Sequence, residues 1–265
     1  MISNKSCIGI FDSGVGGLTV LKQIKKLLPK ENLIYFADNN NSPYGDKQTC
    51  EIEALCLKIA NFLAKKNCKL IMIACNTATV ASLESIKKTF PEIPVVGVIH
   101  SGAITAIAST QNSKIGVIAT PLTIAMNGYQ KELSQLSKNV TVAQVACKEF
   151  CTMIETGWTN NENRFILLEH YISLLPKDID TLILGCTHYP IILEDIKKYF
   201  LGTIIDPAFG SSQEIVKILK EKNLLNPSHE NGKIEFFVSG ESDIFKTIGE
   251  KILNMNIQMV KKIYL

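Results

Sequence analysis

The chain has 265 residues, 46% of them hydrophobic, enough to bury one large or two modest cores. A formal net charge of +3 rests on lysines spread over helical stretches such as "KQIKK" and "DIKK", which marks solvated faces and argues against a nucleic-acid groove. The longest apolar runs are of strand length, well short of the roughly 18 to 20 residues a spanning helix needs, so no membrane helix is expected.

In chain order, the start "MISNKSCIGIFDSG" lacks the basic opening, long apolar stretch and small-residue cleavage site of a secretory signal, so a cytoplasmic location is expected. Short β-rich runs then alternate with helical periodicity, at 7–11, 32–37, 69–74, 94–98, 114–119, 140–145, 181–185, 203–206 and 233–238. Helical stripes are expected over 47–66, 211–223 and 241–262. Nine strands suit two smaller sheets better than one. The expected fold is α/β, with two similar domains, each a mostly parallel sheet flanked by helices, and an active site in the cleft between them. The first domain is read as residues 1–97 plus 207–265 and the second as 98–206.

The first motif, "GIFDSGVGGLTVL" (9–21), runs a strand into Asp12 and Ser13 and then into a glycine-rich turn before a helix. It is not a dinucleotide fingerprint, which wants glycine where Thr19 stands, nor a P-loop, since no Gly-Lys-Ser/Thr follows. Either residue could simply cap the helix, but a carboxylate and a hydroxyl together at a strand's C-terminal end favour a site. "NSPYGDK" (41–47) reads on its own as a β-turn.

"LIMIACNTAT" and "TLILGCTHYP" are the informative pair. Each runs an apolar strand into a cysteine and then a threonine, 111 residues apart at Cys75 and Cys186. At a strand-to-helix junction, helix N–H groups favour negative charge and can lower a thiol from about 8.5 toward neutrality, although the sequence does not fix the resting protonation of either thiol. Asn76, Thr77 and Thr187 can cap helices and present donors to an anion, and His188 can tune the Cys186 thiol. The other cysteines, at 7, 50, 56, 68, 147 and 151, are expected to stay thiols and to act as small hydrophobes. No CxxC pair occurs, and Cys147 and Cys151 have no partner at metal-ligand spacing, so neither metal nor cofactor is expected. Arg164 is the only arginine, so an anionic ligand would be held by backbone N–H groups and hydroxyls. Disulfide exchange usually uses CxxC, and a thiol protease leaves one cysteine unexplained. Two-base stereoinversion at a carbon acid uses both, one thiolate removing a proton from one face while the other thiol protonates the opposite face.

"FDSGVGGLTVL", "PYG", "ACNTAT" and "GCTHYP", in this order and spacing, closely resemble the glutamate racemases of the cofactor-independent aspartate/glutamate racemase family. The match extends from residue 8 to about 240. The resemblance implies interconversion of L- and D-glutamate, supplying D-glutamate for peptidoglycan, in a fold of two α/β domains around a cleft. It implies Cys75 as the acid/base residue for D-glutamate and Cys186 for L-glutamate, with Asp12 and His188 assisting proton transfer and Glu155 as an active-site carboxylate. Ser13, Tyr44, Gly45, Asn76, Thr77, Thr120, Thr123 and Thr187 would complete the substrate site with Asp12 and His188. The sequence departs from the family's pattern at His100, Ser101 and Met126 and in "CKEFCTM", which leaves open racemisation of aspartate or of a broader set of amino acids. The implied partner is the small-molecule substrate, with neither nucleic acid nor membrane, and a homodimer is compatible with the sequence.

Overall fold

Ten strands, every pair of them parallel, form two sheets in the computed structural model, which describes residues 2–265. In chain order the elements are β1 (Ile8–Asp12), α1 (Leu18–Leu27), β2 (Leu33–Ala37), α2 (Thr49–Lys65), β3 (Leu70–Ile73), α3 (Asn76–Thr89), β4 (Val95–Gly97) and α4 (Val98–Ser109). They continue with β5 (Lys114–Ala119), α5 (Pro121–Ala125), α6 (Gly128–Leu136), β6 (Thr141–Ala146), α7 (Phe150–Glu155), α8 (Arg164–Ser173), β7 (Thr181–Gly185) and α9 (Leu193–Ile196). β8 (Thr203–Ile205), α10 (Pro207–Glu221), β9 (Ile234–Val238), α11 (Ser242–Leu253) and β10 (Val260–Lys262) complete the chain. The larger sheet has the order β10-β9-β2-β1-β3-β4, and the smaller β6-β5-β7-β8.

The central strands are buried along their whole length, as the unbroken apolar runs of β1, β2, β3 and β7 require when helices cover both faces of a parallel sheet. One apolar cluster runs from Ile10 of β1 through Ala103 and Ala106 of α4 to Val117 of β5, so the two sheets share packing. No helix among the described residues is long and apolar enough to cross a membrane.

The end of the chain corrects the sequence reading. The stripe expected as a helix over 241–262 stops at Leu253, where Asn254 takes a left-handed conformation (φ 50°) and caps α11. The chain then adds a tenth strand, β10, to the edge of the larger sheet. This strand is mostly exposed and reads "VKK", so it carries no apolar signal. Two lysines on an edge also discourage pairing with another chain.

At the edge where β3 begins, Lys69 is fully buried. Its Nζ pairs with Glu31 at 2.5 Å and donates to the carbonyls of Asn4 (2.6 Å) and Leu224 (2.7 Å). Lys69→Met strands a buried Glu31 carboxylate and is expected to cost about 3–5 kcal/mol. A thermal melt should show a Tm lower by about 10 °C, and a shift of a degree or two would mean that the pair contributes little.

Candidate active site

Parallel strands point their carboxyl ends the same way, and the residues that follow β1, β3, β5 and β7 converge on one cavity of about 50 Å3. Ser13 arrives after β1, Cys75, Asn76 and Thr77 after β3, Thr120 after β5, and Cys186, Thr187 and His188 after β7. The loop with Tyr44 and Gly45 and one side of α7, including Glu155, complete the wall. Among the described residues no lysine or arginine lines this cavity. Arg164 is occupied elsewhere, donating to the carbonyls of Thr159 and Asn161.

Cys75 ends the strand and caps α3, its Sγ accepting the Ala78 N–H at 3.4 Å, with Ser13 Oγ 3.8 Å away. Asn76 turns its carboxamide oxygen to the Tyr129 hydroxyl (2.7 Å), which leaves the amide donor for the cavity. The hydroxyls of Thr77, Thr120 and Thr123 form a triangle with sides of 2.9, 3.0 and 3.1 Å, tying α3 to the start of α5. Gly45 packs on Thr120, where a Cβ would come within 3.1 Å of the threonine Cβ. The Tyr44 hydroxyl donates to Asp38.

Cys186 sits 3.6 Å from His188 Nδ1, and His188 Nε2 lies 2.9 Å from Glu155 Oε1. Asp12 caps nothing: Gly17 precedes α1 without a side-chain cap. Asp12 Oδ1 instead accepts the Gly14 N–H (2.9 Å) and Oδ2 the Thr187 hydroxyl (3.2 Å), a contact between the two sheets' loops. Gly16 makes that approach possible, since a Cβ there would stand 2.5 Å from Thr187 Oγ1 and 2.6 Å from His188 Nδ1. Asp12 and Thr123 therefore lie one bond behind the cavity, while the other residues the resemblance assigned to the site line it.

Ser42, Cys151 and Thr152 line the cavity although the sequence did not assign them to the site, and Cys151 was expected to be only a small hydrophobe. Cys151 is the consequential one, its Sγ 3.4 Å from Cys186 Sγ. No local spacing could have revealed it, because α7 is brought beside β7 only by the fold. Of the departures from the family pattern, His100 pairs with Glu132, Ser101 donates to Glu214, and Met126 accepts from Thr49 at 3.6 Å. None of these three lines the cavity.

Neither thiol is lowered toward neutrality. Burial, then the charge of Asp12, pushes Cys75 up to about 12, against the opposing pull of the Ala78 N–H and Ser13. Cys186 is raised well above its ordinary value by the neighbouring Cys151 thiol and by burial, with His188 pulling the other way. The segment after Cys186 is a 3-10 turn (Tyr189–Ile192) and then the four-residue α9, too short to supply the expected helix-end field. Burial opposes charge on His188, but Cys186 and Glu155 together outweigh it and hold the imidazole well above its usual value. Burial raises Asp12, with His188 and the Gly14 N–H acting against it.

Two parallel α/β sheets, with thiols on matching strand ends facing one cavity rich in neutral donors, define an α/β protein with a small polar site at its strand ends. The profile of the Asp/Glu/hydantoin racemase family matches residues 8–209, and the chain belongs to that family. Its relatives there include the glutamate racemase of Fusobacterium nucleatum, 44% identical over 96% of each chain. Among solved structures, a glutamate racemase isoform from Bacillus anthracis superposes with a TM-score of 0.94 at 38% identity, covering 99% of this chain and 98% of that one. The Francisella tularensis glutamate racemase in complex with D-glutamate gives 0.92 at 36% identity, covering 98% of each.

Proposed function

We propose that this protein is a glutamate racemase that works by two-base proton transfer between Cys75 and Cys186. The observation that carries the reading is that both thiols, each 6% exposed, are reached from the same cavity. In the L-to-D direction the Cys186 thiolate takes the Cα proton. The S–H bond forms as the C–H bond breaks, and Cys75 delivers its proton to the opposite face of the carbanion. The reverse reaction exchanges the roles, and no net proton, electron or group is gained.

A thiol at about 12 is costly to ionise, about 7 kcal/mol at pH 7 for Cys75. Several groups offset this cost. The substrate brings its own ammonium into a site without lysine or arginine, and the His188 imidazolium stands beside Cys186. Developing charge on the substrate carboxylate is met by Ser13, Asn76, Thr77 and Thr187. We place the enzyme in the cytoplasm, where its product would supply D-glutamate to peptidoglycan synthesis.

The departures at His100, Ser101 and Met126 lie outside the cavity lining, whereas the departing stretch "CKEFCTM" brings Cys151 and Thr152 to the wall, so the glutamate assignment rests on the other lining residues and is tested by substrate comparison. Purified protein without added cofactor should interconvert the glutamate enantiomers and exchange their Cα proton with D2O, followed by circular dichroism and proton NMR. Aspartate and glutamine should turn over at least tenfold more slowly. A dominant rate on aspartate would overturn the substrate assignment, and glutamate binding without Cα exchange would overturn the reaction.

A further inference from the structure

Cys151, Cys186 and His188 each offer a ligand atom, and the three atoms lie within 4.8 Å of one another, the one such group of three among the described residues. The sulfurs are 3.4 Å apart, and Cys186 Sγ is 3.6 Å from His188 Nδ1. Two thiolates and an imidazole on a tetrahedral zinc ion, with Zn–S about 2.3 Å and Zn–N about 2.0 Å, stand about 3.8 Å (S to S) and about 3.6 Å (S to N) apart. The two spacings to Cys186 need an adjustment of only a few tenths of an ångström, while Cys151 Sγ and the imidazole nitrogen, within 4.8 Å, draw together by a side-chain rotation as the ion binds.

The imidazole is also oriented for this task. Nδ1 faces Cys186 Sγ while Nε2 is engaged by Glu155 Oε1 at 2.9 Å, the carboxylate–histidine arrangement that fixes the ring and raises the basicity of the ligating nitrogen. Three protein ligands leave a fourth position, and here it opens on the cavity that also holds Cys75 and Thr187. Soft thiolate ligands select zinc and other thiophilic divalent cations over magnesium or calcium.

From this geometry we infer that Cys151, Cys186 and His188 form a binding site for a thiophilic divalent cation such as Zn2+, which occupies the Cys186 side of the cleft in competition with the amino-acid substrate. As the two Zn–S bonds form, two thiol protons leave to solvent, and any proton on Nδ1 leaves as the Zn–N bond forms. No electron is transferred, so the site needs no oxidant or reductant. Cys151 takes no part in the proposed proton transfer, and its place against Cys186 is explained by this site. The effect of the ion on turnover rests on the racemase reading, whereas its binding does not.

The test uses the full, reduced chain. Cd2+ is titrated while sulfur-to-cadmium charge-transfer absorption is read in the ultraviolet, and Zn2+ affinity is measured against a chromophoric chelator. The expected result is one equivalent bound with the absorption of two thiolates, and an apparent Zn2+ affinity that falls as glutamate is added. Cys151→Ala and Cys151→Ser should each weaken Zn2+ at least tenfold, with folding checked by circular dichroism, while Cys50→Ser, at an exposed thiol, should leave it unchanged. Wild-type affinity in a folded Cys151 variant, absence of the absorption band, or indifference to glutamate would each overturn the site. Failure to racemise glutamate with cation binding intact would overturn only the activity reading.

Discussion

Cys75→Ser and Cys186→Ser are each expected to lower kcat for glutamate racemisation by about a thousandfold or more, the scale lost with a positioned acid/base group. Serine nearly preserves the volume at two buried strand ends but offers a far weaker acid, so the loss reports proton transfer and not packing. Because the enantiomers are mirror images, the equilibrium constant is one, and kcat/KM must fall by the same factor in both directions in either variant. Turnover therefore cannot say which thiol serves which face. Deuterium exchange can. Cys186→Ser keeps Cys75 and should still exchange the Cα proton of D-glutamate, while Cys75→Ser should exchange that of L-glutamate. Exchange of the same enantiomer by both variants would break the facial assignment, and full turnover in either would end the two-base mechanism.

The two thiol junctions were visible in the sequence for a physical reason. A central parallel strand is buried on both faces, so β3 and β7 appear as unbroken apolar runs, and the first polar residues after them fall at the edge where ligands bind. The same logic located Asp12 at the end of β1 and Ser13 just after it. What stayed hidden depends on distance through the fold. Asp12 meets Thr187 across 175 positions of sequence, and Cys151 meets Cys186 across 35, with no spacing rule linking either pair. The direction of the thiol shifts was not legible because a helix-end field is local, whereas depth of burial is a property of both sheets and their covering helices together. β10 escaped notice because an exposed edge strand has no apolar pattern to display.

His188→Asn is expected to lower kcat/KM by about 10- to 100-fold, equally in both directions for the reason of symmetry above. Its effect on exchange should be one-sided. His188 Nδ1 lies 3.6 Å from Cys186 Sγ, and Cys186 and Glu155 hold the ring well above its ordinary pKa, which favours the charged imidazole together with the Cys186 thiolate. Exchange of L-glutamate should therefore fall with turnover while exchange of D-glutamate, driven by Cys75, persists. Glu155→Gln should act in the same direction and more weakly, because Glu155 works through His188 Nε2. The raised value also fixes a sign for stability. A histidine that gains proton affinity on folding contributes its full stabilisation below about pH 6.5, and that contribution is lost as pH rises through the higher folded value. Urea unfolding at pH 6 and pH 9 should show the gap between wild type and His188→Asn narrowing at the higher pH. A gap that widens would mean that the imidazole is held neutral in the cleft, and Cys186 would then need another cation beside it, for which the substrate ammonium is the remaining source.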